Sequence, residues 1–233
     1  MDLNNAKVLV TGGSTGIGFE IAKQLKEKGA VVAICSRTQA NVDKAAQELG
    51  IAGFAVDVSD ETSVAKLFTD TVAALGGLDV LVNNAGIAYM APLVETSTED
   101  FTRIWETNVK GAFMAGREAA KIFTEQQSGN IINISSTAGT KGFAGGSAYC
   151  SSKFAVSALT ECWRAELRRA NVRVMQINPS EVVTPLIEKM GWPTKNAEKK
   201  LKATEIAHVA VSMLEMNNVG FVTDATVFAT NPY

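Results

Sequence analysis

The sequence is poor in the groups from which many active sites are built. It has a single histidine, His208, in 233 residues, so neither a histidine-based triad nor a zinc site is expected. Its three cysteines, Cys35, Cys150 and Cys162, are odd in number and lack metal-ligand spacing. Reduced thiols in a cytoplasmic protein are therefore expected, with no disulfide framework and no metal. Charge is nearly balanced, with 22 Lys and Arg against 24 Asp and Glu, which offers no basic surface to nucleic acid or to an anionic membrane. No apolar run is long enough to cross a bilayer. No secretory leader is expected either, because Asp2 and Asn4-Asn5 lead straight into a strand-like segment. Linkers, repeats and low-complexity stretches are also missing, so one domain spanning 1–233 is expected.

What remains is 46% hydrophobic and 20% charged, the composition of an ordinary globule. Short solid apolar runs alternate with segments of helical spacing. Lys7 to Val10, Val31 to Cys35, Phe54 to Val56, Leu78 to Val82, Asn130 to Ile134, Val172 to Ile177 and Gly220 to Phe228 read as strands. Between them, Ile17, Ile21, Ala22 and Leu25, then Val64, Leu67, Phe68 and Val72, recur as on the apolar face of a helix. Ser59, Thr98 and Thr204 are the expected helix caps of the later segments. One long helix is expected from Thr98 to about Thr124 and another from Ala148 to Arg169. Solid rather than alternating strands indicate a parallel sheet covered on both faces. The fold class is thus α/β, a doubly wound Rossmann-type sheet of about seven strands.

In such a sheet ligands bind beyond the carboxyl ends of the strands. The chemically conspicuous stretches all lie there. Thr11-Gly12-Gly13-Ser14-Thr15-Gly16-Ile17-Gly18 follows the first strand and opens the first helix, where backbone N–H groups can face a pyrophosphate. After the second strand stands Ser36-Arg37-Thr38 rather than the carboxylate that would accept hydrogen bonds from a ribose 2′-hydroxyl. A guanidinium beside hydroxyls suits a 2′-phosphate, so NADP(H) is favoured over NAD(H); the plain alternative is that Arg37 is a solvated loop residue. Asp57, with Val58 next to it, ends the third strand and could accept from the adenine amino group.

Tyr149 and Lys153 are four residues apart on a helix, hence a turn apart on one face. A phenol titrates at about 10, too high for proton transfer at neutral pH, and a nearby ammonium is expected to lower it. Ser136, at the end of the fifth strand, could hold a substrate oxygen beside the phenol.

Together, Thr11–Gly18, Asn83-Asn84-Ala85-Gly86, Asn108 in Asn108-Val109-Lys110-Gly111, Ser136 in Ile134-Ser135-Ser136, Tyr149xxxLys153 and Asn178-Pro179 resemble the short-chain dehydrogenase/reductase family over nearly the whole chain. The closest flavour is that of 3-oxoacyl-carrier-protein reductase-like members. The resemblance implies a tetrad of Asn108, Ser136, Tyr149 and Lys153, in which Ser136 rather than Ser135 stands at the family's interval, 13 residues before Tyr149. It implies that Asn84, Ala85 and Gly86 line the adenosine side of the cofactor and that Lys153 binds the nicotinamide ribose. The segment Pro179, Val182, Thr184 is implied to contact the carboxamide, and Asn108 to hold a water linking Lys153 to solvent. Reduction of a hydrophobic carbonyl, or oxidation of the matching secondary alcohol, is the activity implied.

Three departures from the pattern stand out. Pro179 is followed by Ser180 where relatives have glycine. Only about 20 residues separate Thr184 from Thr204, so the substrate lid, at about 185–203 and containing Gly191-Trp192-Pro193, is short. The last strand lacks the paired glycines of many relatives. Ala88, Tyr89, Ala138, Phe143, Met190 and Trp192 are the candidate pocket residues. Trp105, Phe113, Phe154 and Trp163 look partly surplus to one core, and the resemblance implies that their helices pair subunits into a homodimer or homotetramer. His208, Cys150 and the cluster Arg164, Arg168, Arg169 read as surface or packing residues. A second reading, from another class, is a dinucleotide-binding scaffold or regulatory protein without useful turnover.

Overall fold

The seven apolar runs become seven strands because each is flanked by a turn signal and by a helix with one apolar face. The computed structural model describes residues 1–189 and 196–232. Strands β1 (Lys7–Thr11), β2 (Val31–Ser36), β3 (Ala52–Ala55), β4 (Val80–Asn83), β5 (Gly129–Ile134), β6 (Val172–Pro179) and β7 (Asp224–Val227) form one sheet. Its order is β3-β2-β1-β4-β5-β6-β7 and every pairing is parallel. Chain direction across the sheet reverses between β1 and β4, which opens a crevice beyond their carboxyl ends.

Helices α1 (Gly16–Glu27), α2 (Gln39–Leu49), α3 (Glu61–Leu75), α4 (Thr98–Trp105), α5 (Gly111–Gln126), α6 (Ser147–Leu167), α7 (Pro185–Lys189) and α8 (Ala203–Glu215) supply the connections. Alternate strand residues feed two cores. Val8, Val10, Ile132 and Met175 pack with Ile21, Leu25, Ile206 and Val211 of α1 and α8. On the other face Leu9, Leu81, Ile131 and Val174 pack with Leu67, Met114, Phe123 and Trp163 of α3, α5 and α6. Burial on both faces explains why the strands read as unbroken apolar runs.

Several local expectations shift. The long helix is interrupted by a π-turn at Glu106–Lys110, between α4 and α5. Asp60, not Ser59, caps α3, its carboxylate accepting from Ser63 N at 2.7 Å. Ser97, not Thr98, caps α4 by accepting from Asp100 N at 3.0 Å. Thr204 lies inside α8, which starts after Lys202; there Glu205 Oε2 accepts from Lys202 N at 2.6 Å. In each case a neighbouring polar side chain reaches the free N–H groups better than the residue expected to. The last strand is confined to Asp224–Val227, because only these residues pair with β6.

Two residues expected to be superficial are structural. The Trp163 ring covers Gly116 so closely that a Cβ there would come within 2.5 Å of it, so this indole belongs to the core rather than to a subunit contact. Arg164 donates through Nε to Val174 O at 3.0 Å and through Nη2 to Thr223 O at 2.8 Å, tying α6 to the edge of the sheet. His208 is exposed and Cys150 buried. Met190 and Trp192, with part of the expected lid, lie outside the described residues. Among the described residues no helix is long and apolar enough to cross a membrane.

Candidate active site

The crevice beyond β1 and β4 is held by two side chains that reach across it. Thr11 Oγ1 accepts from Asn84 N and Ala85 N, both at 3.1 Å. In return, Asn84 Nδ2 donates to Thr11 O at 3.0 Å and to Gly12 O at 3.1 Å. The loop after β1 is therefore stitched to the loop after β4. Close approach is possible because Gly12, at φ +65°, carries no Cβ; one there would lie 2.8 Å from Ala85 Cα. A Cβ on Gly18 would meet Gly12 O at 2.5 Å, so the first turn of α1 is pressed onto the loop. No side chain caps α1, which leaves its leading N–H groups for an anion.

A cleft of about 280 Å³ runs from this cradle toward the adenosine end. Gly12, Ser14, Thr15, Gly16 and Ile17 line it on one side and Ser36, Arg37 and Thr38 close its far end. Val58, Asn84, Ala85, Gly86 and Thr184 complete the walls. No carboxylate lines it among the described residues. Asp57 is exposed, and its Oδ1 accepts from Ser59 N at 3.0 Å and Ser59 Oγ at 2.8 Å. Val56 and Val58, rather than Asp57, face the cleft. The glycine cradle, uncapped helix start and basic far end fit a nicotinamide dinucleotide.

Deeper in, Ser136, Tyr149 and Lys153 come together with Asn84, Gly86, Pro179, Val182 and Thr184 around a second cavity of about 110 Å³. Ser136 and Tyr149 also line a third of about 400 Å³, so the two hydroxyls stand where the cofactor space meets a separate pocket. The Tyr149 phenol is hydrogen-bonded to Ser136. Ser136 Oγ accepts from Ala138 N at 3.1 Å and donates to Pro179 O at 3.4 Å. Ser135 is turned away and buried, donating to Lys153 O at 3.2 Å. The alternation of strand residues thus separates the two serines.

Lys153 Nζ lies 5.8 Å from the centre of the Tyr149 ring and donates to Ile134 O at 2.9 Å. Burial lowers its pKa to about 8. Burial also raises the phenol to about 12, only partly offset by the Ser136 hydrogen bond. The expected lowering of the phenol by the ammonium is not what the protein's own groups produce: desolvation of both outweighs it.

Asn108 lies in the π-turn, buried, with its whole amide engaged. Nδ2 donates to Ile87 O at 2.9 Å and to Ser152 Oγ at 3.0 Å, and Oδ1 accepts from Ile87 N at 2.8 Å. Ser180 N donates to Val227 O at 2.9 Å, and Ser180 is not among the residues with positive φ. Ser180, expected to strain a loop where the resemblance implies glycine, is therefore accommodated without backbone strain.

The pocket expectations divide. Ala88, Ala138 and Phe143 line the 400 Å³ cavity, but Met90 takes the place expected of Tyr89. Tyr89 instead hydrogen-bonds Asp100, and desolvation with that carboxylate raises its pKa. Ile87, Thr107 and Lys200 were not expected at the site, whereas Thr11 and Glu181 fall within expected stretches without having been singled out. For Thr11 a signal existed, since the glycine motif begins with it; for Lys200, distant in sequence, there was none.

A glycine cradle at the switch point of a parallel sheet, opening toward a Tyr–Lys pair, defines a nicotinamide-dinucleotide oxidoreductase fold. The family model described as short chain dehydrogenase matches residues 6–193. The chain belongs to this family, whose members act on CH–OH and C=O groups. It is 35% identical to the 3alpha-hydroxysteroid dehydrogenase of Mediterraneibacter gnavus, over 80% of this chain and 78% of that one. It is 31% identical to the 3-oxoacyl-acyl-carrier-protein reductase of Thermotoga maritima, over 97% of each. A solved short chain dehydrogenase/reductase family protein superimposes with TM-score 0.85 at 34% identity, covering 98% of this chain and 97% of that one.

Proposed function

We propose that the protein is an NADP(H)-preferring carbonyl reductase, acting reversibly as an alcohol dehydrogenase, with Tyr149 as general acid and base. The observation that carries this reading is the placement of Ser136 and Tyr149 on both the deep cofactor-side cavity and the 400 Å³ pocket. A carbonyl oxygen between them would be within reach of both hydroxyls.

The dinucleotide, when bound, supplies or accepts the hydride. As negative charge grows on the carbonyl oxygen, Ser136 donates a hydrogen bond to it and Tyr149 transfers its phenolic proton. Lys153, held by Ile134 O, supplies the nearby positive charge that favours the tyrosinate left behind, and can reach ribose hydroxyls. Asn108 works as a positioning residue. Its amide is fully engaged, so a water relaying protons from Lys153 would be held by backbone of the π-turn rather than by this side chain. Ser36, Arg37 and Thr38 receive the 2′-phosphate, and Pro179, Val182 and Thr184 border the carboxamide.

Apolar walls of Ala88, Met90, Ala138, Phe143, Leu186 and Ile187 favour a hydrophobic ketone, of which a 3-oxoacyl thioester or a steroid ketone is an example. Leu186 and Ile187 of α7, on the wall of this pocket, belong to the described part of the short lid. Phe101, Phe113 and Phe154, on α4, α5 and α6, remain exposed and serve pairing of copies into a dimer or tetramer. The test is Tyr149→Phe. NADPH oxidation against a panel of ketones should fall by about 10³-fold or more, while NADPH binding, followed by fluorescence, is retained. Robust turnover by that variant would refute the assignment. A wild-type protein that binds NADPH yet reduces nothing in the panel would be a scaffold instead.

A further inference from the structure

The pocket beside Ser136 and Tyr149 is apolar along most of its wall but contains one ion pair. Glu181 and Lys200 both line it, and Lys200 Nζ donates to Glu181 Oε2. The backbone fixes this pair. Val182 bridges Leu201 in parallel, and Val183 N donates to Leu201 O at 2.8 Å. The segment after β6 is thereby laid beside the segment before α8, and Val182 and Leu201 are both buried anchors. Glu181 and Lys200 each immediately precede an anchor.

The two charges are unequally exposed. The Lys200 side chain is 16% exposed and that of Glu181 is 66% exposed. An ion pair between two solvated side chains contributes little. An ammonium drawn in beside apolar walls is different, because it must keep a partner or pay a desolvation penalty. Glu181 supplies the partner from the solvent side, and the pair as a whole is neutral.

We propose that Glu181 and Lys200 read the distal end of the substrate, selecting a neutral ketone that carries a second polar group, a hydroxyl or carbonyl, away from the reacting carbon. The inference rests on the reading that the reacting carbonyl lies between Ser136 and Tyr149. A distal hydroxyl can donate to the carboxylate and accept from the ammonium, and a distal carbonyl can accept from the ammonium. A distal carboxylate meets repulsion from Glu181, and a distal amine meets repulsion from Lys200. A wholly apolar end leaves the pair only its mutual hydrogen bond and displaces water from it without offering a polar contact in return. The pair thus discriminates by charge from the 400 Å³ pocket, outside the deeper cavity that Lys153 lines with Ser136 and Tyr149.

The experiment compares NADPH-dependent reduction of three sets of 2-ketones, matched in chain length and ending in methyl, hydroxyl or carboxylate. Several lengths are used so that one spans the pocket. Wild type should favour hydroxyl over methyl by about tenfold in kcat/KM at the best length. Glu181→Gln leaves the ammonium without its counter-charge, and the carboxylate-to-hydroxyl ratio should rise at least about tenfold. Lys200→Met should bring the hydroxyl-to-methyl ratio to about one, and Lys200→Arg, which keeps the charge, should retain the preference. Equal ratios in wild type and in both charge-removing variants, with all three sets turned over, would overturn the proposal. So would loss of the preference in Lys200→Arg with its melting temperature unchanged. If wild type reduces none of the ketones, the reading of the Ser136–Tyr149 site itself has failed, and this inference falls with it.

Discussion

Asn108 and Ile87 are joined edge to edge, the side-chain amide donating to Ile87 O at 2.9 Å and accepting from Ile87 N at 2.8 Å. The second amide hydrogen goes to Ser152 Oγ at 3.0 Å. One side chain therefore locks the loop after β4 and the helix of the Tyr–Lys pair to a π-turn, whose wider spacing keeps Asn108 out of the regular ladder.

Replacing Asn108 tests that view. Asn108→Ala leaves Ile87 N and O without this partner in a partly buried site, and should cost about 2–4 kcal/mol of stability. It should also lower kcat at least about tenfold by loosening the placement of Tyr149 and Lys153. Urea unfolding with steady-state kinetics checks both. A variant with native stability and native kcat would show that the clasp has no mechanical role.

The proposed preference for NADP(H) rests on Arg37. This residue closes the far end of the 280 Å³ cleft with Ser36 and Thr38 and lines neither of the cavities that Ser136 and Tyr149 share. Arg37→Ala should lower kcat/KM for NADPH by about 10–100-fold, the loss of one or two charge-assisted hydrogen bonds, and leave that for NADH within about threefold. An unchanged NADPH-to-NADH ratio would assign the selection elsewhere.

Ser180 offers a test of backbone strain. Because it lacks positive φ and its N–H is hydrogen-bonded to Val227, placing a glycine there relieves nothing. Ser180→Gly should lower stability by about 0.5–1 kcal/mol through the greater freedom of the unfolded chain. A thermal melt that rises instead would mean the serine is strained.

The sheet was legible because both its faces are buried, which turns every strand into an unbroken apolar run, as in Val31 to Cys35. The glycine loop and the Tyr149–Lys153 pair were legible because each is a local pattern whose chemistry depends on spacing. What escaped was set by side chains choosing among near-equivalent partners. Asp60 rather than Ser59 reaches the start of α3, and Asp57 turns onto Ser59 instead of into the cleft. Trp163 looked surplus because the gap over Gly116 that takes its ring is formed by a residue far from it in sequence. The Glu181–Lys200 pair was hidden for the same reason: the bridge between Val182 and Leu201 brings it together.

Lys153 makes the stability of the protein depend on pH in a direction opposite to that of an ordinary surface lysine in an ion pair. Burial lowers its pKa from 10.5 to about 8 in the folded chain, so between those values the unfolded chain binds the extra proton. Stability then rises with pH across that interval, because it increases wherever the unfolded state holds more protons. Below about pH 8 both states carry the charge and the full desolvation penalty is present; above 10.5 both are neutral and it is gone. The shift corresponds to about 3 kcal/mol. Lys153→Met removes the titration along with the hydrogen bond to Ile134 O. The unfolding free energy of wild type relative to Lys153→Met should therefore rise by about 2–3 kcal/mol from pH 7.5 to pH 10. The Tyr149 phenol, raised to about 12, opposes this only above about pH 10, where the unfolded chain loses that proton first. Paired urea titrations at the two pH values measure the difference. A flat or falling difference would mean that Lys153 does not carry a desolvated charge when the protein is folded.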